Sequence, residues 1–256
     1  MKQVDISKAT RSSPVLFEEN GHAIYWLGID KPTAFRTNTY LIKDEDIALI
    51  VDPGNRAFFP KVRDRVAKVL PPAEVSGMII CHQDPDVAAS MGDWLKVNPK
   101  MRVYSSPRAQ VLLKHYGRTD YGFVDVEEKP ELVLPSGARL RFIAAPFLHF
   151  PGAFATFDAE AKTLFSGDVF ASLNVGSKLV AEDFEGLAGN MEWFHAEYMA
   201  SNIATRGFVN SLEGLDIQTI LPQHGQIIGS QFVTQALAWL AGLKCGTDLI
   251  YPELPT

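Results

Sequence analysis

Residues 75–92 read Val75-Ser76-Gly77-Met78-Ile79-Ile80-Cys81-His82-Gln83-Asp84-Pro85-Asp86-Val87-Ala88-Ala89-Ser90-Met91-Gly92. The apolar run Met78 to Cys81 stops abruptly at His82, Asp84 and Asp86, after which Val87, Met91, Trp94 and Leu95 recur at helical spacing. The stretch reads as a buried strand, a polar turn and a helix, and turns after such strands are where α/β proteins carry their chemistry. One imidazole and two hard carboxylates in a single turn suit a metal ion. Pro85 fixes the backbone between the carboxylates and biases Asp84 away from helical geometry, so the two can diverge. The same residues also suit a solvated acidic turn with Asp86 capping the next helix. The rest of the chain has to decide.

Working outward, His22–Leu27, Thr37–Ile42 and Ile47–Val51 are rich in β-formers, and the turn Asp52-Pro53-Gly54 closes the third of them. Residues 60–70 form an amphipathic helix between Pro60 and Pro71. Beyond Asn98-Pro99 come a short strand, Arg102–Ser105, and a helix from Pro107 to Tyr116 that Gly117 ends. Strand fragments at 123–126 and 131–134 precede a strand-like run from Leu140 to Leu148. Ala153–Asp158 and Thr163–Ser166 pair as a hairpin. Residues 171–189 lack periodicity and read as a long functional loop. A long helix is expected over 190–212, a strand over Ile217–Leu221 and a last helix over 230–243. Strands followed by helices, twice over, predict an α+β sandwich of two sheets with helices outside, and a single domain over 1–256.

The chain has six histidines. His82, His149 and His224 each end an apolar run and enter a turn, and Asp168 does the same after Leu164-Phe165-Ser166-Gly167. Four strand ends can meet at one edge of a sandwich. With Asp84 and Asp86 they offer three imidazoles and three carboxylates, too many ligands for one small ion and suited to two with one carboxylate between them. His22 and His115 lack this context and read as structural. His195, with Tyr198 one turn on, reads more as packing than as a ligand.

The order His82-x-Asp84-x-Asp86, then His149, Gly167-Asp168 and His224-Gly225, resembles the metallo-β-lactamase superfamily and, within it, the diiron domain of flavodiiron proteins. Trp26-Leu27-Gly28-Ile29-Asp30, Thr37-Asn38-Thr39-Tyr40-Leu41 and Asp52-Pro53-Gly54 extend the resemblance over nearly the whole chain. It implies a metallo-β-lactamase-like αββα sandwich with the metals at one edge. His82, Asp84 and His149 would hold the first ion, Asp86 and His224 the second, and Asp168 would bridge. Two residues depart from the pattern. Asp84 replaces the usual Glu, and Val87 stands where the motif normally ends in His. Valine cannot ligate, so the resemblance implies an open position on the second ion, filled by water, O2 or a residue such as His195 or Tyr198.

A net charge of −6 and a pI near 5.5 argue against a nucleic-acid or anionic-membrane binder. Cys81 and Cys245 form no CxxC motif, as in a reducing compartment. The start, MKQVDISKATRSS, lacks the apolar core of a secretory signal, and no run approaches a membrane span. A cytoplasmic location is expected. No flavodoxin-like or rubredoxin-like segment is recognisable, so no FMN is expected in the chain. Short relatives of this kind are oxygen-binding diiron proteins. The resemblance therefore implies two iron ions, O2 as ligand (with NO or peroxide as alternatives), and an oxygen-sensor or signalling role. A signalling or electron-donor protein in trans would be the partner, O2 or NO reduction would follow if it supplied electrons, and a homodimer is the family habit. The alternative is a zinc or manganese hydrolase of the same fold.

Overall fold

The computed structural model describes residues 13–28, 36–173 and 178–254. The N-terminal reading up to residue 12, Ile29-Asp30 of the resemblance and residues 174–177 of the expected long loop lie outside the described residues.

Two sheets carry the chain. The first runs β1 (Val15–Glu19), β2 (His22–Trp26), β3 (Tyr40–Asp44), β4 (Ile47–Val51), β5 (Gly77–Ile79), β6 (Arg102–Ser105) and β7 (Gly122–Asp125) in sequence order. Its first four strands are antiparallel, and β4 to β7 are parallel. The second has the order β12 (Thr219–Pro222), β11 (Thr163–Gly167), β10 (Phe154–Asp158), β9 (Arg139–Ala144) and β8 (Glu131–Val133).

Strand alternation then dictates four layers. Tyr40, Ile42, Leu49, Val51 and Ile79 point inward and meet Leu140, Phe142, Phe154, Phe165 and Leu221 of the second sheet. Their neighbours Leu41, Ile50, Met78 and Ile80 point outward, against Val62 and Val66 of α1 (Phe59–Val66), Val87 and Ala88 of α2 (Pro85–Ala88) and Met91, Trp94 and Leu95 of α3 (Met91–Val97). After β6, α4 (Pro107–Leu113) adds Leu113 to this layer. On the far side, Ala155, Phe157, Leu164 and Ile220 pack against α5 (Phe184–Tyr198), α6 (Asn202–Ser211) and α7 (Ser230–Gly242) through Leu187, Met191, Phe208, Val233 and Leu240. This is the expected αββα sandwich. Strands buried on both faces explain why β3 to β5 read as continuous apolar runs rather than alternating ones. Among the described residues no helix is long and apolar enough to cross a membrane.

Several boundaries differ from expectation. The run Leu140–Leu148 stops being strand at Ala144, the last residue to pair with β10, and Pro146 has no N–H to continue the ladder. His149 is therefore carried by a loop. Thr37 lies outside β3 but makes an isolated bridge to His224. The helix expected over 190–212 is two helices, α5 and α6, broken at Met199–Ser201, and α5 begins at Phe184. Asp183 caps it, accepting from the backbone N–H groups of Glu185 and Gly186. Gly186 and Gly189 hid that start, because glycine disfavours helix interiors.

The sheets are pinned at both edges. At the site edge, Asn38 Nδ2 donates to the Pro222 and Gly225 carbonyls at 2.9 and 3.1 Å, and the Tyr40 hydroxyl donates to the Pro222 carbonyl at 2.8 Å. At the opposite edge, buried His22 on β2 lies 2.8 Å from Asp44 on β3 and 2.7 Å from Asp158 on β10. Burial would lower the His22 pKa, but the Asp158 and Asp44 carboxylates overcome it and raise it above 6.5. This stabilisation is complete below the unfolded value and disappears as pH rises through the raised folded value. His22→Ala leaves two buried carboxylates with their other hydrogen bonds but without the cation between them, and should cost about 3 kcal/mol near pH 6. The gap in urea-unfolding midpoint between wild type and variant should narrow on the alkaline side, and a gap independent of pH would contradict the assignment.

Candidate metal centre

Four strand ends deliver the polar residues to one edge. β5 gives way after Ile79 to a turn carrying His82 and Asp84. Asp84 takes the N-cap position of α2 in extended conformation, but its carboxylate makes no capping bond and is free to face the site. Asp86 follows in the first turn of α2, so neither carboxylate is spent on capping. The loop after β9 presents His149. β11 ends at Gly167 and presents Asp168, and β12 ends at Pro222, two residues before His224. Gly167 is needed twice, for its positive φ of 58° and because a Cβ there would come within 2.8 Å of the Cys81 sulfur.

The six side chains form two groups joined by Asp168. On one side, Asp168 Oδ2 lies 3.1 Å from His149 Nε2 and 3.3 Å from His82 Nε2, while Asp84 Oδ2 lies 3.3 and 3.8 Å from the same two nitrogens. His82, Asp84 and His149 offer ligand atoms that all lie within 4.8 Å of one another. On the other side, His224 Nε2 lies 3.0 Å from Asp86 Oδ2 and 3.8 Å from Asp168 Oδ1. His82, Asp168 and His224 are buried, whereas the Asp84 and Asp86 side chains are 30% and 45% exposed. Solvent therefore reaches the cluster from the side of the turn.

The donor set fits two hard or borderline cations. His82 Nε2 and Asp168 Oδ1 are buried without a hydrogen-bond partner, although each faces the cluster at ion-pair distance. Buried polar atoms of this kind are costly unless a cation or donor completes them. The charges are already arranged for one. Burial would depress all three imidazoles, yet Asp168 raises His82, Asp168 and Asp84 raise His149 to about 10, and Asp86 raises His224. Burial would also raise Asp168, but His82 foremost, with His149 and His224, holds it well below the usual carboxylate range. Asp84 is likewise lowered against its burial by His149 and His82.

The other residues singled out have distinct places. Val87 is wholly buried in the outer apolar layer with Cys81 and Met91. His195 is buried with both nitrogens engaged. Nδ1 donates to the Met191 carbonyl at 2.8 Å, and Nε2 accepts the Phe170 N–H at 2.9 Å, which fixes the tautomer and steadies the turn after Asp168. Burial drives its pKa down to about 4, so the ring is neutral. Tyr198 stacks on Phe194 and meets the His149 ring edge-on at 5.8 Å. His115 lies in the short 3-10 turn after α4.

Sequence reasoning missed the residues that hold the ligands. Asp52, buried behind β5, accepts the Cys81 N–H at 2.9 Å and the Cys81 thiol at 3.2 Å, and the Cys81 sulfur lies 3.1 Å from His82 Nδ1. Nδ1–H of His82 thus donates to sulfur, leaving Nε2 for the cluster. Burial raises Asp52 to about 6 and lifts the Cys81 thiol far enough to stay protonated. Asp52 ends an apolar strand just as Asp168 does, which was the available signal. Tyr116 and Gln223 were equally hidden. Tyr116, raised to about 12 by burial with Asp84 and Asp86, donates to the Gln83 carbonyl, and Gln223 Nε2 donates to the Asp86 carbonyl.

The ODP family beta lactamase model matches residues 35–225, more than half of the chain. The chain belongs to the ODP beta-lactamase family. Its fold superposes on a solved structure described as "Peroxy diiron species of chemotaxis sensor ODP" with a TM-score of 0.83 at 33% identity, covering 94% of this chain and 100% of that one. It also matches the flavodiiron protein from Giardia intestinalis at TM-score 0.79 and 23% identity, over 89% of this chain and 59% of that one, a likeness of fold. Among curated relatives, Diflavin flavoprotein A 1 of Synechocystis sp. strain PCC 6803 is 25% identical over 205 residues, 78% of this chain but only 35% of its own length.

Because Asp168 and Asp84 raise His149 to about 10, a divalent ion bound there must displace its proton. Loading the metal-free chain near pH 7 should release protons, and apparent affinity should rise with pH. Calorimetry in buffers of different ionisation enthalpy checks this, and metal uptake without proton release would contradict it.

Proposed function

We propose that the chain is a non-haem diiron protein that binds O2 at the cluster and acts as an oxygen-sensing component of a signalling system. His82, Asp84 and His149 would hold one ion and Asp86 and His224 the other, with Asp168 placed between the two groups. The observation that carries this reading is the division of the Asp168 carboxylate, with Oδ2 toward His82 and His149 and Oδ1 toward His224. The relative described as a diiron chemotaxis sensor, similar over almost its whole length, supports the choice of iron and O2.

When bound, two iron ions supply reversible redox chemistry toward O2 or NO. The chain's own residues set the terms. Three carboxylates against two divalent ions leave a small net positive charge, which favours an anionic or electron-accepting ligand. Cys81 and Asp52 hold His82 in the tautomer that presents Nε2. His195 anchors the backbone after Asp168. Val87 supplies no donor, which would leave a position on the second ion for the exogenous ligand. Phe194 and Tyr198 cover the His149 side with aromatic surface.

The chain works as one domain in the cytoplasm, as a homodimer, with a signalling or electron-donor protein in trans. Reduction of O2 or NO is secondary and depends on that donor. The rival zinc hydrolase is disfavoured by the carboxylate at Asp84, a harder donor than the imidazole of zinc hydrolases, and a manganese hydrolase, which that carboxylate would suit, is disfavoured by the likeness to the diiron chemotaxis sensor.

Anaerobic loading with Fe(II) should give two irons per chain and an absorption band that develops only with O2. Asp168→Ala should lose dinuclear binding while Val87→Ala keeps it. Absence of the O2-dependent band in the fully loaded wild type would overturn the O2-binding reading, and two irons retained in Asp168→Ala would overturn the bridge.

A further inference from the structure

Gln83 lies between two residues of the cluster, and both its backbone and its side chain are engaged. Its backbone carbonyl accepts the Tyr116 hydroxyl at 2.6 Å, and its side-chain Nε2 donates to Asp84 Oδ1 at 2.7 Å. The amide orientation is set by chemistry, since its carbonyl oxygen turned toward a carboxylate would repel it. Tyr116 is itself placed by close packing. α3 approaches it so closely that a Cβ at Gly92 would stand 2.9 Å from the Tyr116 carbonyl oxygen, and the Tyr116 ring packs against the outer apolar layer.

The two oxygens of Asp84 therefore have different partners. Oδ2 faces inward, 3.3 Å from His149 Nε2 and 3.8 Å from His82 Nε2. Oδ1 is held by Gln83. A carboxylate free to turn both oxygens onto one ion fills two coordination positions, whereas a carboxylate tethered by one oxygen fills one. The Asp84 side chain is 30% exposed and close to solvent, so packing alone does not fix it.

We propose that Gln83, steadied by Tyr116, keeps Asp84 a one-oxygen ligand and so reserves a position for an exogenous ligand on the ion held by His82 and His149. This rests on the diiron reading above. With Val87 withholding a donor from the other ion, an opening then exists on each, which suits a two-atom ligand. Gln83 and Tyr116 are positioning residues and touch neither ion.

The test uses the full chain, loaded anaerobically with Fe(II), oxidised, and titrated with azide as the probe. Wild type, Gln83→Leu and Tyr116→Phe are compared for iron per chain and for azide affinity by absorption. All three should hold two irons. Azide should bind about tenfold more weakly to Gln83→Leu and by a smaller factor to Tyr116→Phe, in the range that residues supporting metal ligands usually contribute. Thermal melting of the metal-free proteins checks folding, and Tyr116→Phe, which keeps the ring, carries the test if Gln83→Leu does not fold. Unchanged azide affinity in a fully loaded variant overturns the proposal. So does loss of an ion from Gln83→Leu, because the brace would then retain metal rather than limit Asp84 to one oxygen. A wild-type chain that takes up fewer than two irons fails at the first measurement and refutes the diiron reading itself.

Discussion

Asp168 is a carboxylate buried between two sheets with imidazoles on both of its oxygens. Withdrawing such a group from water costs several kcal/mol, and only close opposite charge offsets it. The fold meets this demand by ending β5, β11 and β12, with the loop after β9, at one edge. Glycine at 167 lets the backbone turn there while the Cys81 sulfur fits against it. In the metal-free chain the compensating charge comes first from His149, which Asp168 and Asp84 raise to about 10, with His82 and His224 shifted in the same direction. In the loaded chain it is cations.

The two edges of the sandwich solve similar problems with different means. At the far edge His22 sits between Asp44 and Asp158 and joins β2 to β10 with a fully enclosed charge cluster. The three side chains are buried, and their role is structural. At the site edge the sheets are joined by neutral hydrogen bonds from Asn38 and Tyr40, and the charged residues are left partly open through Asp84 and Asp86. Stability at one edge permits exposure of charge at the other.

Much of this was legible in the chain. An apolar run ending in a histidine or aspartate recurs at His82, His149, Asp168 and His224, and the structure brings these four together with Asp84 and Asp86. The layered fold followed from the order of strand and helix patterns. What failed did so for local reasons. The expected strand up to Leu148 ignored Pro146, which cannot extend the ladder. The start of α5 was masked by two glycines that the Asp183 cap and the packing of Leu187 overcome. The residues that orient the ligands were hidden because their role is purely spatial. Nothing in the spacing of Asp52 and Cys81, or of Gln83 and Tyr116, indicates that one bonds the other. His195 read more as packing than as a ligand, and its nitrogens serve the Met191 carbonyl and the Phe170 N–H beside Asp168.

The proposed sharing of Asp168 by two ions is tested most directly by anomalous diffraction at the iron edge from crystals of the anaerobically Fe(II)-loaded chain. Two iron peaks with Asp168 contributing one oxygen to each are expected. A single peak, or two peaks with both Asp168 oxygens on the same ion, would contradict it.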